Sequence, residues 1–460
     1  MKFNPGVFRK YDVRGRADVE LTDEFVTALG RAYGTRIRRD GGLRVALGRD
    51  CRTSGARVMA AFQAGIRACG VDVLTLGVVP TPLLYFALHH FEVDGGVVIT
   101  GSHNPPNWNG FKLCQGRASM YGDQLQALRA AIETNDFDEG EGGTDSADVY
   151  APYHAHLADG LRCDRALKVV IDAGNGTGGL VAGDVYRALG HEVIELFCEP
   201  DGAFPNHHPD PTVEANLADL KAAVAEHGAD VGIAFDGDAD RIGAVDHRGR
   251  VVWGDQMLLF FAREVLRHAP GATIVSEVKC SRVLFDGIAE AGGVPDMWKV
   301  GHSLIKARMK ETGALLAGEM SGHIFFADRY FGFDDAVYVG ARLLELLANG
   351  DASLADMLDG LPATVTTPEL RVACSDEAKF DVVDRAVAHF ASRYEVCDLD
   401  GARIDFAHGW GLVRSSNTQP ALVMRFEADT QAHLSDYRDE VEGWLRSHAP
   451  EVDLEADTHH

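Results

Sequence analysis

RVALGRDCRTSG (44–55), LKVVIDAGNGTGG (167–179) and ATIVSEVKCSR (272–282) are three stretches with one layout. Each is an apolar run that passes into a polar or Gly-rich loop, followed by an amphipathic helical segment, a glycine and a second apolar run. Short apolar runs that alternate with helices are typical of parallel strands buried on both faces. Their starts lie too far apart for a solenoid, so they predict tandem α/β domains.

Each copy continues into a further apolar run that ends in an unusual polar loop. The three segments are DGGVVITGSHNPP (94–106), ADVGIAFDGDADR (229–241) and GALLAGEMSGH (313–323). Ligands of such sheets bind beyond the carboxyl ends of the strands. We therefore expect three equivalent strands to carry three chemically different loops to one central cleft.

The pattern changes near residue 367, where strand-like stretches and two long helices predict an α+β domain. The expected fold is three similar α/β domains with mixed, mostly parallel sheets, followed by this α+β domain. The expected domains are residues 1–150, 151–253, 254–366 and 367–460. The acidic, Gly-rich segment 134–148 is interpreted as a linker or exposed loop.

Charge and composition exclude several classes of protein. The 460 residues carry 44 Lys+Arg against 69 Asp+Glu, a formal charge of −25. Such a charge disfavours nucleic acid and anionic membranes as partners. The N-terminal residues lack the apolar core of a signal peptide, and the eight cysteines form no C-x-x-C pair. We expect a cytoplasmic, monomeric protein.

TGSHNPP (100–106) places Ser102 beside His103 after a strand and before two prolines. A serine next to a histidine in a rigid turn suggests a nucleophile or a covalently carried group. An ordinary turn is an equal alternative, because glycine, serine, asparagine and proline all favour turns.

DGDADR (236–241) alternates Asp236, Asp238 and Asp240 with small residues. Three crowded carboxylates repel one another unless a cation lies among them, and their oxygens favour Mg²⁺ or Ca²⁺. The EF-hand pattern fails, because Arg241 and His247 stand where glycine and glutamate are required. Arg241 adds a positive group that suits a nearby phosphate.

GNGTGG (174–179) matches the dinucleotide-binding pattern G-x-G-x-x-G, with Glu195 about 20 residues further on. The same position in the other two repeats holds unrelated loops, so loop geometry alone explains the glycines. An oxidoreductase is therefore the weaker interpretation.

Two more loops have the composition of ligand-binding segments. GEMSGH (318–323) offers Glu319, Ser321 and His323 at alternate positions, which suits the hydroxyls of a sugar. RSSNTQP (414–420) combines a guanidinium with hydroxyls and backbone N–H groups, which suits a phosphate.

Taken in order, these motifs resemble the α-D-phosphohexomutase family. FRKYDVRG (8–15), NGFK (109–112) and VKCSR (278–282) complete the resemblance, which spans nearly the whole chain. GEMSGH and Asn417 are most similar to the bacterial phosphomannomutase/phosphoglucomutase branch. The resemblance implies reversible interconversion of hexose 1- and 6-phosphates, of mannose and/or glucose, through a phosphoserine and a 1,6-bisphosphate.

The resemblance also implies roles for individual residues, with Mg²⁺ as cofactor and glucose 1,6-bisphosphate as activator. Catalytic roles fall on Ser102 as the phosphoserine, His103, Lys112, Arg241 and His323. The implied metal ligands are Ser102, through its phosphate, with Asp236, Asp238 and Asp240. The implied substrate-binding residues are Tyr11, Arg14, Lys279, Gly301, His302, Glu319, Ser321, His323, Arg414, Ser416, Asn417 and Thr418.

Other functions share parts of this pattern. A phosphoglucosamine mutase would differ in sequence at the 318–323 and 414–420 loops. A Mg²⁺-dependent sugar phosphatase would share the carboxylates but release inorganic phosphate. A non-catalytic sugar-phosphate-binding protein would need only the 318–323 and 414–420 loops.

Overall fold

The computed structural model describes residues 2–417 and 419–457. The chain forms two compact units, Met1–Glu264 with Ser321–Asp359, and Val265–Met320 with Gly360–His460. Short 3₁₀ helices cover Pro5–Val7, Thr177–Leu180 and Glu214–Leu217. No helix within the described ranges is both long enough and apolar enough to cross a membrane.

The strands are β1 (Val13–Arg16), β2 (Arg44–Arg49), β3 (Asp72–Val78), β4 (Gly95–Ile99), β5 (Trp108–Gln115), β6 (Ala118–Ser119), β7 (Thr144–Ser146), β8 (Lys168–Asp172), β9 (Glu192–Leu196), β10 (Val231–Phe235), β11 (Ile242–Asp246), β12 (Val251–Val252), β13 (Thr273–Glu277), β14 (Val294–Trp298), β15 (Leu316–Gly318), β16 (Ile324–Phe326), β17 (Val365–Thr366), β18 (Leu370–Ala373), β19 (Glu395–Cys397), β20 (Ala402–Phe406), β21 (Gly409–Ser415), β22 (Ala421–Ala428) and β23 (Asp453–Asp457).

The helices are α1 (Asp23–Arg39), α2 (Gly55–Arg67), α3 (Thr81–His90), α4 (Asp123–Thr134), α5 (Tyr150–Gly160), α6 (Ala182–Ala188), α7 (Ala218–His227), α8 (Gly254–His268), α9 (Arg282–Glu290), α10 (His302–Thr312), α11 (Ala336–Asn349), α12 (Leu354–Asp359), α13 (Lys379–Phe390) and α14 (Gln431–His448).

The three predicted repeats form three sheets with one strand order. Their parallel strands run β4-β2-β3, β10-β8-β9 and β15-β13-β14. In each sheet the first strand of the repeat is central, the second lies on one side and the third on the other. The third strands are β4, β10 and β15, which are the strands that lead into the three polar loops. The α/β repeat prediction is confirmed.

The first two sheets are mixed because each gains antiparallel strands beyond its third strand. The first sheet has the order β1-β5-β4-β2-β3-β7, with β6 paired to β5, and the second has β12-β11-β10-β8-β9. Strand β4 and strand β10 are buried along their whole length. The loops that follow them therefore start from rigid, solvent-excluded backbone.

The segment 134–148 is partly structured, although the sequence predicts only a linker or loop. Thr144–Ser146 form β7, which pairs in parallel with β3 at the edge of the first sheet. All three residues of β7 are exposed. An exposed edge strand needs no apolar residue, and for this reason its sequence carries no strand signal.

The C-terminal segment forms the predicted α+β domain. Its antiparallel sheet has the order β19-β20-β21-β22-β18-β23, with β17 paired to β22. Helices α13 and α14 pack on this sheet over a core that includes Phe390, Phe426 and Leu445. Strands β21 and β22 are buried throughout and lead into and out of the 414–420 loop.

Candidate active site

Ser102 follows β4 and lies in the first unit with its backbone in the left-handed region, at φ 48°. The residue is 3% exposed. Its hydroxyl donates a hydrogen bond of 2.7 Å to Oδ2 of Asp236, and Nδ1 of His103 lies 3.1 Å from the same Oγ. Burial and the nearby Arg241 hold the pKa of His103 well below its usual value, so this imidazole is neutral at pH 7.

Arg52 supports the serine loop (residues 100–107, between β4 and β5), a role that the sequence analysis missed. Its side chain is fully buried, and its Nε lies 3.2 Å from Oδ2 of Asp50. Its guanidinium also donates hydrogen bonds of 2.5–3.0 Å to four carbonyl oxygens of the loop. These belong to Ser102, Asn104, Pro105 and Trp108. A rigid planar donor thus fixes the backbone that carries Ser102.

The aspartate loop (residues 236–241), which follows β10, is buried. Asp236 and Asp238 are 0% exposed and Asp240 is 1% exposed. The loop lies directly against the serine loop, because a Cβ on Gly237 would stand 2.6 Å from the carbonyl oxygen of Ser102. Only glycine permits this approach.

Lys112 on β5 neutralises the aspartate loop. Its Nζ lies 2.6 Å from Oδ2 of Asp238 and also pairs with Asp240. Burial alone would lower the pKa of Lys112, but these two carboxylates outweigh it and raise that pKa above its usual value. Burial alone would raise the pKa of Asp238, and Lys112 reverses this effect and lowers it. Burial and the charge of Asp238 raise the pKa of Asp236.

Thr81 is a second residue that the sequence analysis missed. It is the first residue of α3, directly after Pro80, and is 0% exposed. Its hydroxyl donates to Oδ2 of Asp238 at 2.5 Å, and its N–H donates to the carbonyl oxygen of Asp238 at 2.9 Å. The start of a helix thus holds both the backbone and the side chain of one aspartate.

His323 joins the same cluster from the other part of the first unit. Nε of Arg241 lies 3.0 Å from its Nε2, and its Nδ1 lies 3.2 Å from Oδ2 of buried Asp334. Since Nε2 accepts from Arg241, the proton of a neutral imidazole is on Nδ1, facing Asp334. Asp334 had no sequence signal, because it lies in the loop before α11, outside every motif.

Three further predicted residues belong to the first unit. Arg14 on β1 forms an ion pair of 2.5 Å with Asp12. Tyr11 is half-buried beneath the ammonium of Lys10, which lies 5.7 Å from the ring centroid. Ser321 is also half-buried, two residues before His323.

In the second unit, Glu319 and Lys279 each lie in a buried polar network. Glu319 accepts a hydrogen bond of 2.6 Å from the N–H of Gly301, which caps the N-terminus of α10 just before His302. Nζ of Lys279 lies 3.0 Å from Oε2 of Glu369. Both predicted residues are buried and held in place.

The 414–420 loop, which follows β21, is anchored by two residues that the sequence analysis missed. Asp400 pairs with Arg414 at 3.0 Å and accepts from the N–H of Val300 at 3.0 Å. Buried Lys379 donates to the carbonyl oxygen of Ser416 at 2.7 Å. Ser416 is buried and Asn417 is half-buried, while Thr418 lies outside the described residues.

The GNGTGG loop packs against the aspartate loop. The N–H of Thr177 donates to the carbonyl oxygen of Gly237 at 3.0 Å, and a Cβ on Gly176 would lie 2.7 Å from that oxygen. Close packing of two loops explains these glycines without a dinucleotide.

The aspartates also fit a metal ion. One ligand atom from each of Asp236, Asp238 and Asp240 lies within 4.8 Å of the others. Oδ1 of Asp238 and Oδ1 of Asp240 are buried and have no hydrogen-bond partner among the described residues. Buried carboxylate oxygens without donors need a cation, and an all-oxygen set suits a hard divalent ion. The loop is therefore a candidate metal site.

Comparison with known proteins gives four family domains in chain order. They are the phosphoglucomutase/phosphomannomutase alpha/beta/alpha domain I at residues 5–139, domain II at 151–249, domain III at 253–365 and the C-terminal domain at 369–443. The structure is similar to that of a phosphoglucomutase/phosphomannomutase family protein from Burkholderia thailandensis, with a TM-score of 0.93 and 44% identity over 98% of this chain and 100% of that one. The fold is that of a multidomain α/β phosphohexomutase.

Curated relatives agree with the structural comparison. A phosphoglucomutase of Neisseria meningitidis is 46% identical over 96% of this chain and 97% of its own. A phosphomannomutase/phosphoglucomutase of Pseudomonas aeruginosa is 46% identical over 93% of each chain. The chain belongs to the phosphoglucomutase/phosphomannomutase family, whose members are isomerases of hexose phosphates.

Proposed function

We propose that this enzyme interconverts the 1- and 6-phosphates of mannose and glucose through a phosphoserine at residue 102. The observation that carries the proposal is the hydrogen bond of 2.7 Å between the buried Ser102 hydroxyl and Asp236. This hydrogen bond joins the only serine of the serine loop to the aspartate loop, where a bound cation would neutralise the charge of a phosphoryl group. Phosphoryl transfer depends on such positioning more than on covalent machinery.

In the proposed step, the bond between phosphorus and Oγ of Ser102 breaks while O1 or O6 of the sugar bonds to phosphorus. The sugar hydroxyl gives up its proton to a base, and Oγ of Ser102 takes a proton as it leaves. We assign the role of base to His323, because its imidazole lies between Arg241 and buried Asp334. Lys112, held protonated by its carboxylate neighbours, supports the role of proton donor or fixed positive charge.

His103 and Arg241 complete the proposed catalytic set. His103 contacts Oγ of Ser102, and Arg241 supplies a guanidinium between the aspartate loop and His323. We propose Mg²⁺ as the metal held by Asp236, Asp238, Asp240 and the phosphate of Ser102. When bound, Mg²⁺ neutralises negative charge on the phosphoryl group.

Substrate recognition is proposed for residues of each unit. Arg414, Ser416, Asn417 and Thr418 would hold the non-reacting phosphate, and Glu319 with Ser321 of the first unit would bind sugar hydroxyls. The remaining proposed binding residues are Tyr11, Arg14, Lys279, Gly301, His302 and His323. Because mannose and glucose differ only at C2, a site that binds other hydroxyls accepts both.

The product of the first transfer is a 1,6-bisphosphate, which returns its other phosphoryl group to Ser102. Glucose 1,6-bisphosphate therefore acts as an activator, because it transfers a phosphoryl group to Ser102 in any enzyme molecule that has lost it. We further propose a cytoplasmic monomer without nucleic-acid or membrane partners, with domains at 1–150, 151–253, 254–366 and 367–460.

The proposal is tested by comparing wild-type enzyme, Ser102→Ala and the matched control Ser119→Ala on glucose 1-phosphate. Ser119 lies on short strand β6, outside the cluster. Wild-type enzyme stripped of phosphate should be nearly inactive until glucose 1,6-bisphosphate is added, and Ser119→Ala should behave identically. Ser102→Ala should stay inactive with the activator yet still bind substrate in calorimetry.

Peptide mass spectrometry of residues 100–112 provides the second readout. The active enzyme should carry one phosphate on Ser102. Full activity without activator in protein that has no phosphate on Ser102 would contradict the mechanism, and release of inorganic phosphate would identify a sugar phosphatase instead. Turnover of glucosamine phosphate in preference to both hexose phosphates would identify a phosphoglucosamine mutase.

A further inference from the structure

A cluster of His408, Asp429 and His433 lies on the surface of the second unit, outside every motif discussed above. His408 lies in the turn between β20 and β21, Asp429 follows β22, and His433 is in the first turn of α14. Three separate segments thus bring two imidazoles and one carboxylate together. One ligand atom from each lies within 4.8 Å of the other two.

Both imidazoles direct the same nitrogen at the same carboxylate. Nδ1 of His433 lies 2.6 Å from Oδ1 of Asp429, and Nδ1 of His408 lies 3.1 Å from Oδ2. The two rings are stacked, with centroids 4.3 Å apart and planes 8° apart. Both Nδ1 atoms therefore face the carboxylate of Asp429, each next to a different oxygen.

The backbone beneath the cluster is rigid. The N–H of Asp429 donates to the carbonyl oxygen of His408 at 3.1 Å, and the N–H of His408 donates to the hydroxyl of Tyr437 at 3.1 Å. Tyr437 in turn stacks on Phe406 at 4.2 Å between centroids. The three donors are held close together by contacts that do not depend on an ion.

The cluster is also open to an incoming ion. The side chains of His408, Asp429 and His433 are 54%, 51% and 36% exposed. An ion that binds here keeps the remaining coordination positions for water. A three-ligand site of this kind resembles open zinc sites rather than closed structural ones.

We propose that His408, Asp429 and His433 form a binding site for a divalent transition-metal ion, with Zn²⁺ as the preferred ligand. Two imidazole nitrogens and one carboxylate oxygen suit zinc, whereas Mg²⁺ prefers oxygen ligands alone. Zinc bonds of about 2.0–2.2 Å place the ligand atoms of one ion about 3–4 Å apart. The two rings must tilt out of their parallel stack for both Nδ1 lone pairs to point at that ion. Each imidazole binds as the neutral ring with its proton on Nε2.

The site is separate from the proposed phosphate loop. His408 precedes the first residue of β21, and Arg414 and Ser416 lie at the other end of that strand. Seven residues of extended strand separate the two ends by roughly 20 Å. Zinc at the cluster would link the β20–β21 turn to the start of α14 and so stabilise the C-terminal domain without entering the proposed catalytic machinery.

The test is calorimetric titration of the full chain with Zn²⁺ in the presence of saturating Mg²⁺, the ion proposed for the aspartate loop. Wild-type protein should bind zinc saturably, and His408→Ala, His433→Ala and Asp429→Asn should each weaken that binding at least tenfold. His227→Ala removes an exposed histidine at the end of α7 and should bind zinc as the wild type does. Circular dichroism verifies that each variant is folded.

A second readout locates the ion and its effect. Crystals soaked in zinc should give an anomalous peak between the three side chains, and zinc should raise the Tm of the wild type but not of His408→Ala. Equal zinc affinity in wild type and His408→Ala, or no saturable binding in the wild type, would overturn the proposal. The cluster would then be a hydrogen-bonded group only.

Discussion

The hydroxyl of Thr81 donates a hydrogen bond of 2.5 Å to Oδ2 of Asp238. Thr81 begins α3, which packs on the first sheet, and Asp238 follows β10 of the second sheet. A helix on one sheet thereby orients a carboxylate that follows a strand of the other. The same oxygen of Asp238 also faces the ammonium of Lys112. Oδ2 is thus fully occupied, and Oδ1 is the oxygen of Asp238 that remains for a cation.

Replacing Thr81 with valine should weaken Mg²⁺ binding by about 10- to 100-fold, because residues that orient metal ligands typically contribute this much. Valine keeps the shape of the side chain but removes the hydroxyl. The Mg²⁺ concentration for half-maximal activity is the quantity to measure.

Thr81→Ser is the matched control for this prediction, because it keeps the hydroxyl. It should respond to Mg²⁺ as the wild type does. Equal responses of the valine and serine variants would show that the hydroxyl does not position the metal ligand.

Replacing Arg52 with methionine should lower the free energy of unfolding by about 3–5 kcal/mol, because it leaves Asp50 buried without its partner. The control is Arg129→Met, whose side chain is 36% exposed and pairs with exposed Glu133 on the same helix. That change should cost less than about 1 kcal/mol. Urea denaturation measures both, and equal losses would refute the role of Arg52 as the support of the serine loop.

Arg414→Ala should raise the KM for both hexose phosphates by about 10- to 100-fold, because a charge-assisted contact to phosphate contributes about 1.5–3 kcal/mol. Arg446→Ala is the control, since Arg446 is 59% exposed on α14. Steady-state kinetics on glucose and mannose 1-phosphates gives both KM values. A KM within twofold of the wild type would place the phosphate contact elsewhere.

The ion pair of His207 and Asp172 should make stability depend on pH. Nε2 of His207 lies 2.9 Å from Oδ2 of fully buried Asp172, and this hydrogen bond raises the pKa of His207 while burial opposes it. A histidine whose pKa is raised on folding stabilises the protein fully below its unfolded pKa, near 6.5. That stabilisation is lost as the pH rises through the folded pKa.

His207→Gln should therefore cost more free energy of unfolding at about pH 5.5 than at about pH 8. Chemical denaturation at both pH values measures the difference. His247→Gln, which changes an exposed histidine, should show no such dependence. A larger cost at the higher pH would contradict the assignment of a charged pair.

The architecture can be predicted from the sequence, because each repeat has the same order of apolar runs, loops and helical segments. The buried strands β4 and β10 are continuous apolar runs, and each ends where its polar loop begins. The position of the loops at equivalent strand ends follows directly from that pattern. Edge strand β7 cannot be predicted in this way, because its three residues are exposed and form no apolar run.

The residues that support the candidate site could not be predicted from the sequence. Arg52 and Thr81 lie far along the chain from the groups that they hold. Asp334 and Asp400 lie only 11 and 14 positions from His323 and Arg414, but no spacing rule links either pair. Thr81 and Asp238 are 157 positions apart. Their pairing arises from sheet packing, which a local pattern does not encode.

The left-handed backbone of Ser102 restricts how this enzyme can evolve. Chemistry alone would let threonine carry a phosphate as serine does, and a single base change converts some serine codons to threonine codons. A β-branched side chain is strongly disfavoured at φ 48°, however, because its second Cβ substituent crowds the backbone. The choice between the two hydroxyl amino acids at position 102 is therefore imposed by conformation, and the mutational route through threonine is closed.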